Sequence, residues 1–263
     1  MNPTPAAIEV RGVVVGYGER VVQQNLNFQV RRGEVFVVLG GSGSGKSSVL
    51  KAMIGLNEPL AGEILIDGED LAQADGEDRL RLLRKFGVMY QSGALFGSMT
   101  VLENVRMPLD EFSDLEDDAK DLVALGKLNQ VSLLSAAAQV PSELSGGMKK
   151  RAAIARALAL DPGILFLDEP SAGLDPITSA GLDQTIRRLS QSFGITFVVV
   201  THELASIFAI ADRCIMLDSR RKTIVAEGSP TDLRDHAEDP YVRQFFQRQA
   251  EPPAVRRDGS DVA

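Results

Sequence analysis

The spacing of apolar and polar residues divides the chain into regions with different patterns. In the first 35 residues, β-branched runs at 13–15 and 21–22 are separated by glycines, which predicts a small antiparallel sheet. Farther along, apolar runs at 35–39, 164–167 and 195–200 are each followed by a helical stretch, as is typical of a parallel sheet with crossover helices. We therefore predict an α/β fold, with a parallel sheet core and an N-terminal antiparallel β subdomain.

A different pattern interrupts this alternation in the middle of the chain. Between residues 95 and 140 the strand signal disappears and the sequence is helical in character, so we expect an α-helical insertion at approximately residues 92–150. Short helices are predicted at 231–235 and 240–249. The last residues, 249–263, contain too few apolar side chains to fold alone, and we expect a flexible tail there.

Composition narrows the class of protein. The chain has 263 residues, of which 44% are apolar and 24% charged, the proportions of a globular protein. Its apolar runs are far shorter than the ~18 residues that cross a bilayer, and the N-terminus has no signal-peptide pattern. Cys214 has no second cysteine to pair with, which favours a reducing cytoplasm. The net charge of −8 without a long basic stripe argues against a nucleic-acid partner.

Residues 40–47 read GGSGSGKS and match G-x-x-x-x-G-K-[ST] at every fixed position. This segment, the phosphate loop, lies between the predicted strand 35–39 and a helix that starts near Ser47. Its N–H groups would surround an anion, Lys46 would neutralise the β- and γ-phosphates, and Ser47 would offer a hydroxyl to Mg²⁺. A flexible Gly/Ser turn is the simpler alternative. The predicted nucleotide-binding residues here are Gly40, Gly41, Ser42, Gly43, Ser44, Gly45, Lys46, Ser47 and Ser48.

Two carboxylates follow the apolar run at 164–167, in the sequence ILFLDE. They lie where the carboxyl end of a buried strand is predicted, the edge at which open α/β sheets bind ligands. Asp168 is predicted to reach Mg²⁺, and Glu169 to orient and polarise an attacking water. An acidic pair after a strand is by itself more often a loop or a helix cap. The phosphate loop makes the catalytic interpretation the better one.

Residues 144–148 read LSGGM and are followed by KKRAAIARALALDP. This segment resembles the signature of the ATP-binding-cassette (ABC) family, and the resemblance extends over about residues 8–230. It implies a P-loop NTPase sheet core, an ABC ATPase domain at residues 1–248, and binding of ATP with Mg²⁺. It also implies that Ser145, Gly146 and Gly147 contact the nucleotide held by a second subunit. Lys149, Lys150 and Arg151 lie in the first turn of the following helix, where positive charge opposes the helix dipole, so they either share an anion or form a solvated face.

Other positions resemble functional residues of the same family. Tyr17 resembles the aromatic residue that stacks on adenine, although a tyrosine at a sheet edge is a rival interpretation. Gln91 resembles the glutamine near Mg²⁺ and the attacking water, and His202 the histidine that contacts the γ-phosphate. Asp175, in SAGLD, resembles the loop residue at the dimer seam. The resemblance thus implies Glu169, His202 and Gln91 as catalytic residues, Ser47, Gln91 and Asp168 as metal ligands, and Asp175 as a residue that acts in trans.

A narrower resemblance rests on fewer residues. The segments QSGALFGSMTVLENV (91–105) and PYVRQFF (240–246), together with Met148 in the signature, resemble the ATP-binding proteins of the Mla and Mkl type, which are associated with phospholipid trafficking and toluene tolerance. This implies a homodimer that works with a membrane permease and a lipid-binding MCE-type protein, at the cytoplasmic face of the inner membrane. An importer of polar solutes, a regulatory cassette of cell-wall or division machinery, and a soluble cassette acting on ribosomes or DNA are the alternatives.

Overall fold

The structure, a computed structural model, describes residues 6–248 of the chain. The flexible tail expected at residues 249–263 lies outside the described residues. The strands, in chain order, are β1 (Ala6–Tyr17), β2 (Arg20–Arg31), β3 (Val35–Gly40), β4 (Ala61–Ile66), β5 (Glu69–Asp70), β6 (Phe86–Met89), β7 (Ile164–Asp168), β8 (Thr196–Val200), β9 (Arg213–Asp218) and β10 (Thr223–Gly228). The helices are α1 (Lys46–Met53), α2 (Gly76–Leu83), α3 (Val101–Phe112), α4 (Asp117–Gln130), α5 (Gly146–Ala157), α6 (Pro176–Phe193), α7 (Leu204–Ile210), α8 (Pro230–His236) and α9 (Pro240–Gln247).

The strands form two sheets. The first is four-stranded, in the order β2-β1-β4-β5, and its strand pairs are antiparallel. The second is six-stranded, in the order β10-β9-β3-β8-β7-β6; β10 is antiparallel to β9, and every other neighbouring pair is parallel. The α/β fold, with a parallel core and an N-terminal antiparallel sheet, is therefore as predicted from the sequence.

The central sheet separates two apolar cores, and β3 contributes to both. Val35, Val37 and Leu39 face one core, which also contains side chains from α3 to α7 and from α9. Phe36 and Val38 face the other, together with side chains from the antiparallel sheet and α1. Because successive side chains of a strand point to opposite faces, a strand covered on both sides needs an uninterrupted apolar run. This explains the sequence VFVVL and the complete burial of β3.

The middle of the chain is helical, as predicted. α3 begins with a capping box in which the Thr100 hydroxyl accepts the Glu103 N–H, and the Glu103 carboxylate accepts the Thr100 N–H. The Arg106 guanidinium lies between acidic side chains, with Asp117 at 2.6 Å and Asp121 at 2.9 Å. This ion-pair network joins α3 to the first turns of α4. The division of the chain into an ATPase domain and an inserted subdomain at 92–150 stays a prediction. Within residues 6–248, no helix is long and apolar enough to cross a membrane.

The last described elements, α8 and α9, pack on the same chain. Val242 and Phe246 of α9 are buried in the core that contains Val35 and Leu39. The Phe246 ring meets the Phe208 ring of α7 edge to face, with 5.9 Å between centroids. Asp239 caps α9 by accepting the Tyr241 N–H at 2.8 Å. The segment PYVRQFF therefore anchors the end of the fold in its own core.

We predict that Phe246→Ala lowers the free energy of unfolding by about 3 kcal/mol, because it removes a buried aromatic ring and leaves a cavity. Phe193→Ala is the matched control. Phe193 is 54% exposed, and its truncation should change stability by less than about 0.5 kcal/mol. Urea unfolding followed by circular dichroism measures both. Equal stability of the two variants would contradict the packing of α9 described here.

Candidate functional site

The predicted site residues follow neighbouring strands of the central sheet. β3, β8, β7 and β6 lie side by side and run parallel. The phosphate loop follows β3, His202 follows β8, Asp168 ends β7 with Glu169 next to it, and Gln91 follows β6. Val38, Val200 and Asp168 lie at one level across the sheet, since Val200 pairs with both of the others. Their shared carboxyl edge brings these predicted residues together.

The backbone of the phosphate loop needs its glycines. Gly40, Gly43 and Gly45 have φ values of 152°, 74° and 88°, a region that residues with a side chain rarely adopt. A Cβ atom at Gly40 would also lie 2.6 Å from the Leu217 carbonyl oxygen. Gly45 precedes α1, whose N-terminal N–H groups add positive potential at the loop. The loop therefore has the form of an anion-binding turn.

Lys46 lies within this turn. Its side chain is buried, and Nζ donates to the carbonyl oxygens of Gly40 at 2.9 Å and Gly41 at 3.2 Å. Burial lowers the pKa of the Lys46 ammonium, and the nearby carboxylates of Glu169 and Asp168 offset part of that shift. The ammonium is thus held next to the acidic residues at the end of β7. A buried ammonium of this kind is stabilised when an anionic group contacts it.

A cavity of about 430 Å³ opens beside the loop. Its lining residues come from the antiparallel sheet, the phosphate loop and α1: Tyr17, Arg20, Val22, Gly43, Gly45, Lys46, Ser47 and Ser48. Tyr17 is 52% exposed, and its hydroxyl lies 3.2 Å from the Ser48 hydroxyl. The ring therefore lies at the wall of a cavity that Lys46 also lines. Tyr17 ends β1 and also lines the cavity, so the stacking role stays a prediction.

The carboxylates at the end of β7 keep unused acceptor atoms. Asp168 Oδ1 and Glu169 Oε2 are buried without a hydrogen-bond partner among the described residues. Burial raises the pKa of the Asp168 carboxyl, and the charge of Glu169 adds to the rise. Because buried polar atoms are normally satisfied, these oxygens fit a bound cation or an ordered water.

A magnesium ion fits this donor set when phosphate oxygens complete it. Within residues 6–248, no group of three or more His, Cys, Asp or Glu side chains could hold a metal. Mg²⁺ in nucleotide sites is commonly held by one or two protein oxygens together with the substrate's phosphates and waters. The Asp168 carboxylate and the exposed Ser47 hydroxyl offer such oxygens. The exposed side chain of Gln91 lies at the same edge of the sheet.

Glu169 and His202 contact each other, which the sequence did not predict. His202 Nδ1 lies 2.8 Å from Glu169 Oε1, and the histidine ring is largely exposed. Glu169 has a positive φ of 46°, and its N–H donates to the Val200 carbonyl at 2.8 Å. This backbone bond sets the carboxylate between the ends of β7 and β8. Glu169 and His202 thus form one polar unit at the edge of the site.

The signature turn (residues 145–148) packs against the loop that contains Asp175. The Ser145 hydroxyl caps α5 by accepting the Met148 N–H at 3.3 Å. Asp175 caps α6 by accepting the N–H groups of Ile177 at 3.0 Å and Thr178 at 3.1 Å. A Cβ atom at Gly147 would overlap the Thr178 side chain, so glycine is needed for this close approach. Both predicted in-trans segments therefore belong to one packed surface.

Lys150 does not fit either interpretation offered for the basic residues after the signature. It is buried, and Nζ donates to the backbone carbonyls of Gln91 and, at 3.3 Å, of Glu169. It is therefore neither an anion ligand nor part of a solvated face; it joins the ends of β6 and β7. The sequence placed it in the first turn of the helix but could not show that its four-carbon stem reaches the carbonyls of two strands.

Two further residues at the phosphate loop were missed. Gln23 is completely buried in β2, and its amide donates to the carbonyl oxygens of Ser44 at 2.7 Å and Asp218 at 3.0 Å. Tyr241 of α9 accepts the Gly41 N–H at 3.4 Å. A glutamine on the inward side of a strand is a weak sequence signal, and nothing in the local pattern connects residue 241 with residue 41.

Known proteins with similar sequences and folds identify the family of this chain. The family model described as "ABC transporter" matches residues 23–172. The chain is 37% identical over 246 residues to the intermembrane phospholipid transport system ATP-binding protein MlaF of Haemophilus influenzae, covering 94% of this chain and 92% of that protein. It is 40% identical over 245 residues to the probable ribonucleotide transport ATP-binding protein mkl of Mycobacterium leprae, covering 93% and 70%.

A solved structure of a dimeric ATP-binding cassette in a post-hydrolysis state, bound to ADP and Pi, superposes with a TM-score of 0.75. It is 31% identical and covers 84% of this chain and 98% of that one. The chain therefore belongs to the ABC transporter family, as an ATP-binding subunit with ATP hydrolase activity. The family and the enzyme class expected from the motifs are confirmed.

We predict that Lys150→Met lowers the free energy of unfolding by about 1–3 kcal/mol, because two backbone carbonyls lose a charged donor. Lys149→Met, the same change one residue earlier at a less buried position, should cost less than about 0.5 kcal/mol. Chemical unfolding of both variants measures the difference. Equal losses would show that the Lys150 contacts contribute nothing specific.

Proposed function

We propose that this chain hydrolyses ATP to power phospholipid transport across or between bacterial envelope membranes, through a separate permease. The observation that carries the substrate class is the similarity to MlaF, a protein named for intermembrane phospholipid transport, over nearly the full length of both chains. The carboxyl-edge site supports the ATPase part of the proposal. The chain would work at the cytoplasmic face of the inner membrane as a peripheral subunit.

ATP would lie in the cavity beside the phosphate loop. Tyr17 would stack on the adenine, and the loop from Gly40 to Ser48 would surround the phosphates with its N–H groups. Lys46 would place its charge against the β- and γ-phosphates, as the lysine of such loops does. Ser47, Asp168 and Gln91 are proposed to hold Mg²⁺, which supplies charge neutralisation for the transferred phosphoryl group.

Hydrolysis needs a water positioned opposite the leaving phosphate oxygen. Glu169 is proposed to orient and polarise this water, because its Oε2 atom has no other partner among residues 6–248. His202 holds Glu169 through the contact at 2.8 Å and would also reach the γ-phosphate. Gln91 would complete the water's surroundings from the end of β6. The role of the protein in this step is to position and polarise the water.

A second copy of the chain is proposed to complete each site. The cavity is lined by the antiparallel sheet and the phosphate loop, whereas the signature turn lies at the start of α5. In a head-to-tail homodimer, Ser145, Gly146 and Gly147 of one subunit would contact the phosphates bound by the other. Asp175 would line the seam, since its loop packs on the signature turn. The structural relative is itself dimeric.

The permease is proposed to dock on the helical segment that includes α3 and α4. A groove of about 740 Å³ there is lined by Met99, Leu102, Arg106, Met107 and neighbouring residues. The loop before α3 is fixed by Asn104, whose buried amide accepts the Phe96 N–H at 2.7 Å and donates to the Thr100 carbonyl at 2.9 Å. Phe96 remains 48% exposed. An ordered loop with an exposed aromatic ring beside a groove suits a protein partner.

A second candidate substrate class comes from the same comparisons. The mycobacterial relative is named for ribonucleotide transport, and a solute importer would use the same ATPase residues. The two candidates differ in the partners of the chain: the phospholipid proposal requires a lipid-binding protein of the MCE type together with the permease.

We predict that Glu169→Gln retains MgATP binding but lowers hydrolysis by about 100-fold or more, because the water loses its carboxylate. Bound ATP should then accumulate in a closed dimer, seen by size-exclusion chromatography with light scattering. Glu77→Gln, on the exposed face of α2, is the control. Normal turnover by Glu169→Gln would remove Glu169 from catalysis.

Lys46→Ala should weaken MgATP binding by about 10- to 100-fold, since a charged donor to phosphate is lost. Titration calorimetry with the full-length chain measures this change. Unchanged affinity would contradict the placement of the phosphates at the loop.

We further predict which molecules copurify with the tagged chain when it is extracted gently from its native membranes. Mass spectrometry should detect a multi-span permease, an MCE-type protein and phospholipid. A tagged Lys46→Ala chain should capture the same proteins, because the groove at α3 lies apart from the phosphate loop. A solute permease, a division protein or no membrane partner would contradict the phospholipid proposal and leave the ATPase assignment unchanged.

A further inference from the structure

The phosphate loop is contacted by a residue that lies 200 positions later in the chain. The hydroxyl of Tyr241 accepts the Gly41 N–H at 3.4 Å, slightly longer than the usual N–H···O distance of about 2.7–3.2 Å. The tyrosine ring packs against the main core, so the hydroxyl is not free to follow the loop. A Cβ atom at Gly41 would lie 3.1 Å from this hydroxyl, which leaves little room for a side chain at position 41.

Tyr241 is itself held at several points. Its N–H donates to Asp239, the cap of α9, at 2.8 Å, and Asp239 forms an ion pair with Arg221. Arg221 holds the pKa of the Asp239 carboxyl below its usual range. Val242 and Phe246, farther along α9, are buried in the core. The position of the Tyr241 hydroxyl is therefore set by the fold and not by the loop that it contacts.

A second side chain contacts the loop at its middle. The Gln23 amide donates to the Ser44 carbonyl at 2.7 Å and to the Asp218 carbonyl at 3.0 Å. Gln23 is completely buried, and its Oε1 atom has no partner among the described residues. A buried glutamine with an unsatisfied oxygen costs stability. Its amide nevertheless satisfies two buried carbonyls, one in the phosphate loop and one at the end of β9, and so connects the loop to the central sheet.

The residues that contact the phosphate loop, Gln23 and Tyr241, are both connected to the turn between β9 and β10. Asp218, the last residue of β9, receives the Gln23 amide through its carbonyl. Its carboxylate accepts the Arg220 N–H at 2.6 Å and lies 3.6 Å from Arg221 Nε. Arg221 in turn pairs with Asp239 next to Tyr241. The β9–β10 turn is therefore connected to the loop at Ser44 through Gln23 and at Gly41 through Tyr241.

We propose that Gln23 and Tyr241 are positioning residues for the phosphate loop, which fix its backbone at Ser44 and Gly41 and so orient its N–H groups for the nucleotide. This inference rests on the nucleotide site proposed above. Glycines at 40, 41, 43 and 45 leave the loop with more conformational freedom than any other residues would. When a ligand must order a mobile loop on binding, the entropic cost of that ordering weakens its affinity. A loop that is already fixed carries no such cost.

The first test removes the Gly41–Tyr241 hydrogen bond from the side of Tyr241. Tyr241→Phe deletes the acceptor hydroxyl and keeps the ring that packs against the core. This variant of the full-length chain should bind MgATP roughly 2- to 10-fold more weakly, the effect of one hydrogen bond.

The second test removes the Gln23 contacts. Gln23→Met keeps the length of the side chain and deletes the amide, and MgATP binding should weaken by roughly 2- to 10-fold. Gln24→Met, the same change at the exposed neighbouring position, is the matched control and should bind MgATP as the unaltered chain does. Arg243→Gln serves as the control for Tyr241→Phe, because Arg243 is exposed on the same helix, two residues after Tyr241.

For every variant, the melting temperature is measured without and with MgATP, and the affinity for MgATP is measured by titration calorimetry. The inference is overturned if Tyr241→Phe and Gln23→Met bind MgATP as tightly as their controls. It is also overturned if each loss of affinity follows a matching loss of melting temperature. Lys46→Ala separates this result from the proposed function. If Lys46→Ala weakens MgATP binding as predicted above while Tyr241→Phe and Gln23→Met do not, only the positioning role fails.

Discussion

The parallel pairing of β3 with β8, β8 with β7, and β7 with β6 is the constraint on which the site depends. Parallel strands end at the same edge of a sheet, so segments 40–47, 91, 168–169 and 202 meet there although they are far apart in the chain. The strands themselves are fixed by burial on both faces, through alternating side chains such as Val37 and Phe36. Apolar packing thus determines where the polar chemistry takes place.

The carboxyl edge of the central sheet favours charged ligands, because the fold leaves charged groups there incompletely paired. The Lys46 ammonium is buried among backbone carbonyls, and an oxygen of Asp168 and one of Glu169 have no partner among residues 6–248. A phosphate with its cation would satisfy both sets of groups at once, since it brings negative oxygens to the lysine and a positive ion to the carboxylates. The site is arranged for a charged ligand, and without that ligand the burial of these incompletely paired groups costs free energy. This is a common property of sites that bind phosphates of their substrate.

The surface around the signature turn has the opposite character, because its groups are satisfied within the chain. Ser145 and Asp175 both cap helices, and Gly147 permits contact with Thr178. Such a preformed surface would suit the contact in trans proposed above, because it needs no rearrangement. Lys150 connects this helix to the carbonyls of Gln91 and Glu169, so the position of α5 is linked to the ends of β6 and β7. A shift of α5 would therefore act on the backbone next to Glu169 through Lys150.

The sequence by itself determined the α/β class, the phosphate loop, the carboxylates after β7 and the family, because these depend on local patterns: a glycine spacing, an apolar run, a residue at a strand end. Predicted strand bounds differed from the observed ones by a residue, as for β3, which continues to Gly40. The tertiary structure decided which distant residues meet. The Glu169–His202 contact, the burial of Lys150 and the contacts of Gln23 and Tyr241 with the loop each join separate elements. No local pattern encodes such contacts, because the sheet order and the packing of α9 fix the distances between residues that the chain itself keeps far apart.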